Sequence, residues 1–207
     1  EVVEPPRTVA VDALRTRRER ADRGRCFPAG GKDSLDCTPE HVALELPEDA
    51  EIRREVRRAD EQRIDAVDRS SDALAVASRN AEALGAGSIR FLAGDWYAPI
   101  ADTRYGLIVA NPPYIADDEP EPDRDDVRFE PRGALRAGAT GLEALELIIA
   151  EAPRHLDPGG RIWLEHGYGQ GAAVRGRLAE QGFTAIETRR DLAGHERVSG
   201  GLLEYPA

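Results

Sequence analysis

The tetrapeptide Asn111-Pro112-Pro113-Tyr114 carries the most legible chemistry of this chain, and it follows directly on the apolar run Leu107-Ile108-Val109-Ala110. A buried strand that stops this abruptly leaves its last side chain at the open edge of a sheet, where α/β proteins bind ligands. Neither proline carries a backbone N–H, so the carbonyl oxygens of Asn111 and Pro112 stay free and are held rigidly. With the Tyr114 ring as a wall they form a small pocket rich in acceptors. Such a pocket suits a planar amino group, which presents two N–H donors and two π-faces. The competing reading is a strand closed by an ordinary proline turn. The apolar strand in front and the tyrosine behind favour the pocket.

A parallel sheet is needed to position it. From Arg63 onward, apolar segments alternate with helical patterns in βαβ fashion. Arg63–Asp68 reads as a strand ending in an acid. Ser70 or Ser71 then caps a helix in which Leu74, Ala77, Ala81 and Leu84 recur at helical spacing, with Gly85 as its stop. Ser88–Ala93 and Tyr105–Ala110 are the next strands, and Asp117–Asp126 is an acidic, proline-containing loop. Gly141–His155 reads as a helix ended by Asp157-Pro158-Gly159-Gly160, Arg161–Glu165 as a strand, and Gly169–Gln181 as a helix stopped by Gly182. Thr184–Thr188 and Gly201–Tyr205 complete the pattern, the last strand antiparallel. The expected fold class is α/β: a parallel-rich sheet with an antiparallel terminal strand and helices on both faces. Residues 1–62 differ, with few large apolar side chains and ill-defined helical faces. They are expected to be a degenerate or poorly ordered N-terminal part of the domain, and 63–207 its core.

Composition narrows the function. A net charge of −11 over 207 residues argues against binding nucleic acid by phosphate neutralisation, which needs a basic face. The chain has no run of about eighteen apolar residues to span a membrane, and no secretory signal opens it. Cys26 and Cys37 are too few for a disulfide framework or a zinc site. His41, His155, His166 and His195 show no metal spacing, so structural roles are expected. The expected setting is a reducing cytoplasm and a monomer, without metal, membrane or direct nucleic-acid partner. The absent initiator Met leads to the expectation that the sequence begins inside a longer protein.

Several stretches together resemble the S-adenosylmethionine-dependent glutamine N5-methyltransferases that modify peptide chain release factors. They are Ile64–Arg69, Gly94-Asp95-Trp96, Asn111–Ile115, and the later landmarks Asp126–Pro131, Leu164-Glu165-His166-Gly167 and Glu196-Arg197-Val198. The resemblance implies a Rossmann-like methyltransferase fold, S-adenosylmethionine as cofactor, and the glutamine-bearing loop of a peptide chain release factor as partner. It implies that Asp68 holds the cofactor ribose and that Asp95 and Trp96 flank the adenine. It further implies that Asn111 touches both cofactor and substrate, that Asn111, Pro112, Pro113 and Tyr114 bind the substrate glutamine, and that Asn111, Pro112 and Tyr114 are catalytic. Enzymes that methylate amino groups of nucleic acids share the Asn-Pro-Pro-Tyr motif. That reading, and a ribosomal-protein glutamine methyltransferase, stand as alternatives.

The first half departs from the family pattern. A glycine-rich turn should follow the first strand and cradle the methionine end of the cofactor. Its best counterpart is Leu35–Leu44, where Pro39, Glu40 and His41 replace the glycines and Asp36 falls near the methionine amino group. A proline and a bulky acid do not reproduce positive φ and close backbone approach. Glu4-Pro5-Pro6-Arg7-Thr8 resembles the family segment that precedes a helix, and the family's N-terminal helical domain is expected to have no counterpart in these residues. A non-catalytic relic, from a truncated or frameshifted reading frame, is therefore a further reading, with poor cofactor binding as its mark. Arg128, Glu130, Glu196 and Arg197 are expected to pair and pin loops over the pocket, with Phe129 as an anchor.

Overall fold

The computed structural model describes residues 8–11, 63–85, 89–119 and 135–204, and of 8–11 the backbone alone. Its strands are β1 (Thr8–Val11), β2 (Ile64–Asp68), β3 (Ile89–Ala93), β4 (Tyr105–Ala110), β5 (Leu156–Glu165), β6 (Phe183–Arg190) and β7 (Glu196–Leu203). They form one seven-stranded sheet in the order β3-β2-β1-β4-β5-β7-β6. The first five run parallel, and β7 lies antiparallel between β5 and β6. The expected antiparallel chain-terminal strand is therefore present, one place in from the sheet edge.

Burial follows position in the sheet. Every residue of β2 is buried, as befits a parallel strand covered on both faces, whereas the edge strand β3 is half-buried or exposed along its length. Along β4 and β5 the side chains alternate between faces. Ile108, Ala110, Ile162 and Leu164 join the main core, while Leu107, Val109 and Trp163 join a second cluster with Val198.

Three helices among the described residues pack on this frame: α1 (Ser71–Ala83), α2 (Glu143–His155) and α3 (Gly171–Glu180). Ser70 is the cap of α1, its hydroxyl accepting from Ala73 N–H at 3.2 Å, and Leu74, Ala77 and Ala81 face inward. The main core is closed by Leu145, Ile148, Ile149 and Ala152 of α2 with Val174 and Leu178 of α3. Burying each larger side chain contributes about 1.5–3 kcal/mol. Helix α2 starts two residues later than its apolar pattern suggests, with Leu142 at its cap position and no side-chain cap; Thr140 and Glu143 order the turn before it. Thr140 N–H donates to Glu143 Oε1 at 2.9 Å and Leu142 N–H to Thr140 Oγ1 at 3.2 Å.

Two expectations are corrected. Asp157-Pro158-Gly159-Gly160 does not separate α2 from a later strand, because β5 begins at Leu156 and contains it. Tyr105 pairs with Leu156 and Leu107 with Arg161, so the segment is a bulge, and Gly159 takes a φ of 76° that suits glycine. Thr8 opens the strand β1 instead of preceding a helix. Strand β1 fills the place between β2 and β4. Residues Leu35–Leu44, with Asp36, Pro39, Glu40 and His41, lie outside the described residues.

Candidate functional site

Parallel strands open their carboxyl ends on one edge, so β2, β3 and β4 deliver Asp68, Gly94-Asp95-Trp96 and Asn111–Tyr114 to the same rim. Two adjoining hollows lie along this rim, and of the tetrapeptide Pro113 alone lines one of them. One is lined by Val67, Asp68, Arg69, Gly94, Asp95 and Trp96. The other, of about 270 Å³, shares Arg69 and Trp96 with it and adds Pro113, Arg136, Ala137, Gly138, Glu143, Ala144 and Leu147.

Asp68 is buried, with Oδ1 accepting Ser70 N–H at 2.7 Å. Burial pushes its carboxyl above the ordinary carboxylate range, and the Ser70 N–H and the Arg69 charge only partly offset this. It is a carboxylate in need of further donors. Its backbone carbonyl accepts Gly94 N–H at 3.1 Å, which ties the ends of β2 and β3 together. Asp95 is exposed. Trp96 has a φ of 47°, a left-handed conformation that costs a bulky residue about 1–3 kcal/mol. The strain is offset by seating the half-buried indole against the main core while it still lines both hollows.

Asn111 is 3% exposed, and its Oδ1 finds no hydrogen-bond partner among the described residues. A buried carbonyl left in this state costs about 1–3 kcal/mol, so it marks a place where a donor belongs. Pro112 and Pro113 are buried beside it, and Tyr114 is half-buried, its hydroxyl 3.4 Å from Glu165 Oε1. Beyond the motif, Ile115 N–H donates to Leu135 O and Ala137 N–H to Ile115 O, both at 3.0 Å. Arg136 Nη1 then donates to the carbonyls of Ala116 at 2.7 Å and Asp117 at 2.6 Å. This second layer walls the larger hollow.

His166, fully buried, takes a structural place in an ordered polar chain. Its Nδ1 can only donate to Gly167 O, 2.9 Å away, so Nε2 accepts from the Ser199 hydroxyl at 2.8 Å. Ser199 in turn accepts from the Thr188 hydroxyl at 2.8 Å, and Thr188 from Arg175 Nη1 at 2.7 Å. Burial holds the imidazole below its ordinary range. Glu196 pairs with Arg175 at 3.0 Å and Arg197 with Asp191 at 3.1 Å, which secures the turn between β6 and β7. Arg128, Phe129 and Glu130 lie outside the described residues.

Two participants escaped the sequence reading. Arg136 follows a loop with no periodic pattern. Gln170 precedes α3 among Gly167, Gly169 and Gly171, and that glycine setting for a lone amide is the only local signal.

The rim fits one end of a nucleoside cofactor. The buried Asp68 carboxylate suits two hydroxyl donors, and the apolar faces of Trp96, Pro113, Ala137 and Leu147 suit a planar ring. Residues 54–124 match the methyltransferase small domain family model. Over 141 residues the chain is 52% identical to a release factor glutamine methyltransferase of Bordetella pertussis, a match covering 68% of this chain and 52% of that protein. A release factor glutamine methyltransferase of Burkholderia pseudomallei is 49% identical over 147 residues, with the same two coverages. The chain is a homologue of the release factor glutamine methyltransferases. It spans about half the length of the curated relatives it matches. The fold is the Rossmann-like methyltransferase fold. A ribosomal protein L11 methylase from Lactobacillus delbrueckii subsp. bulgaricus superposes with a TM-score of 0.56 at 16% identity, over 99% of this chain and 72% of that one.

Proposed function

We propose that this chain transfers the methyl group of S-adenosylmethionine to the side-chain nitrogen of a glutamine in a peptide chain release factor. The buried Asn111 Oδ1, without a partner among the described residues and on the rim shared with Asp68 and Trp96, is the observation that carries this reading. On this reading residues 63–207 are the catalytic core, residues 1–62 belong to the same domain, and the protein works in the cytoplasm as a monomer without direct nucleic-acid contact. Among the described residues no helix is long and apolar enough to cross a membrane.

Each residue has a positioning or electrostatic task. Asp68 would accept from the ribose hydroxyls, Trp96 and Pro113 would flank the adenine, and Asp95 would accept from its amino group. When bound, the cofactor supplies a methyl group on a sulfonium sulfur, ready for in-line displacement. A glutamine nitrogen is a poor nucleophile because its lone pair is delocalised into the carbonyl. Asn111 Oδ1 and the Pro112 carbonyl each accept one N–H of that amide, which aims the nitrogen and stabilises the positive charge that develops on it. The Tyr114 ring packs on the amide plane. Transfer would form the N–C bond at the expense of the methyl–sulfur bond, and the surplus proton of the amide would leave to water, so no strong base is required of this chain.

The test is calorimetric titration with S-adenosylmethionine, followed by transfer of labelled methyl to a glutamine peptide. Asp68→Ala weakens cofactor binding by about tenfold or more, equivalent to about 1.4 kcal/mol. Asn111→Ala leaves cofactor binding near native and slows transfer on the order of a hundredfold. Near-normal turnover in Asn111→Ala would overturn the mechanism.

A further inference from the structure

We propose that Gln170 is a positioning residue that clamps the Asn111–Tyr114 loop to the turn after β5 and thereby sets the aim of Asn111. The inference rests on the reading of that loop as the amide-binding loop. Gln170 occupies the cap position of α3, where a Ser, Thr, Asp or Asn side chain normally accepts from the first turn, yet its side chain makes no capping bond. Its amide is spent elsewhere. Oε1 accepts Gly167 N–H at 2.9 Å, while Nε2 donates to Tyr114 O at 3.0 Å and to Gly141 O at 3.2 Å. One side chain thus joins three segments that meet at the rim: the motif loop, the turn before α2 and the turn after β5.

The surrounding backbone is cut to admit this amide. Gly141 has a φ of 72°, and a Cβ there would stand 2.6 Å from Tyr114 O and 3.1 Å from Gln170 Nε2. A Cβ at Gly167 would stand 3.1 Å from Gln170 Oε1. The carbonyl of the same Gly167 accepts from His166 Nδ1–H, so the clamp is anchored to the core.

Pinning Tyr114 matters because of what lies between it and Asn111. Pro112 and Pro113 fix φ near −65°, which makes the tetrapeptide a stiff lever. Strand β4 holds the lever at Ala110, through pairing with Val11 and Leu164, and Gln170 holds it at Tyr114. The Asn111 Oδ1 has no hydrogen-bond partner among the described residues to orient it, so its direction is inherited from these two ends.

The experiment compares the native chain with Gln170→Met, Gln170→Glu and Gly141→Ala. Met keeps the length without polar atoms. Glu keeps the acceptor for Gly167 N–H but turns a second oxygen toward two carbonyls, and Ala at 141 intrudes on Tyr114 O. Amide hydrogen exchange is measured on the unliganded chain, then kcat, KM and cofactor Kd with a glutamine peptide. Exchange at Ile115 and Asp117 rises about tenfold or more in all three, while Ile148 and Ile149 in α2 keep their protection. A misplaced Asn111 lowers kcat by about ten- to a hundredfold with cofactor Kd near native, and the Glu variant is not rescued. Unchanged exchange at Ile115, or native kcat in Gln170→Glu, would overturn the clamp. If the native chain itself transfers no methyl group to glutamine, the proposed function fails, and the exchange data still decide the clamp.

Discussion

Replacing Asn111 by Leu should separate stability from function in a way that few substitutions do. Leucine has nearly the shape of asparagine and carries no polar atom. In the unliganded protein the buried Oδ1 lacks a partner among the described residues, which costs about 1–3 kcal/mol. Asn111→Leu removes that cost and gives up whatever the side-chain NH2 contributes, about 1 kcal/mol. The balance runs from about zero to 2 kcal/mol in favour of the variant. For a chain of this size each kcal/mol moves Tm by about 2–4 °C, so the Tm of Asn111→Leu holds or rises by several degrees. Methyl transfer falls on the order of a hundredfold or more, because the glutamine amide loses its acceptor. Urea unfolding with a constant m-value, scanning calorimetry and a transfer assay on the same preparations measure all three quantities. A variant that melts several degrees below the native chain refutes the reasoning, since Oδ1 would then have been satisfied by the protein.

Three further outcomes follow from the buried charges. Asp68 is held above its ordinary range, so the folded chain takes up a proton more readily than the unfolded one and loses stability as pH rises through that window. Asp68→Asn therefore leaves Tm unchanged or higher near neutral pH while weakening cofactor binding, which paired melting and titration experiments check. His166 is held below its ordinary value of 6.5, so its contribution is complete above about pH 6.5 and is lost as pH falls through the folded value; His166→Gln flattens that part of a Tm-against-pH curve. At Asp65, burial alone would raise the carboxyl, but Arg90, bidentate at 2.8 and 2.7 Å, and the Tyr105 hydroxyl at 2.7 Å together hold it below its ordinary range. Asp65→Asn costs about 1–2 kcal/mol in urea unfolding, less than a fully buried pair would, because the Arg90 side chain is 50% exposed.

What the sequence made legible was whatever is written locally. The strands at Ile64 and Tyr105 show as apolar runs closed by an acid or by prolines, and α1 shows through Ser70, its helical spacing and Gly85. The strand β1 does not show, since Thr-Val-Ala-Val is short and stands in a charged stretch. Its identity comes from pairing with β2 and β4. Asp157–Gly160 misleads because proline and glycine punctuate bulges as well as helix ends, and only the register against β4 tells them apart. At the rim, Asp68, Asp95, Trp96 and Asn111 are readable as residues that end or follow strands. The burial that leaves Asn111 Oδ1 without a partner among the described residues, and the reach of Gln170 to Tyr114 and Gly141, depend on segments far apart in the chain. No local pattern encodes either.

The central claim is tested most directly by incubating the native chain with S-adenosylmethionine and an intact release factor, then locating the added mass by tandem mass spectrometry. The account predicts one methyl group on the side-chain nitrogen of a single glutamine, formed on the order of a hundredfold more slowly when Asn111→Ala replaces the native chain. A methyl group on any other atom, or an unmodified release factor after incubation with a chain shown by calorimetry to hold the cofactor, would contradict it.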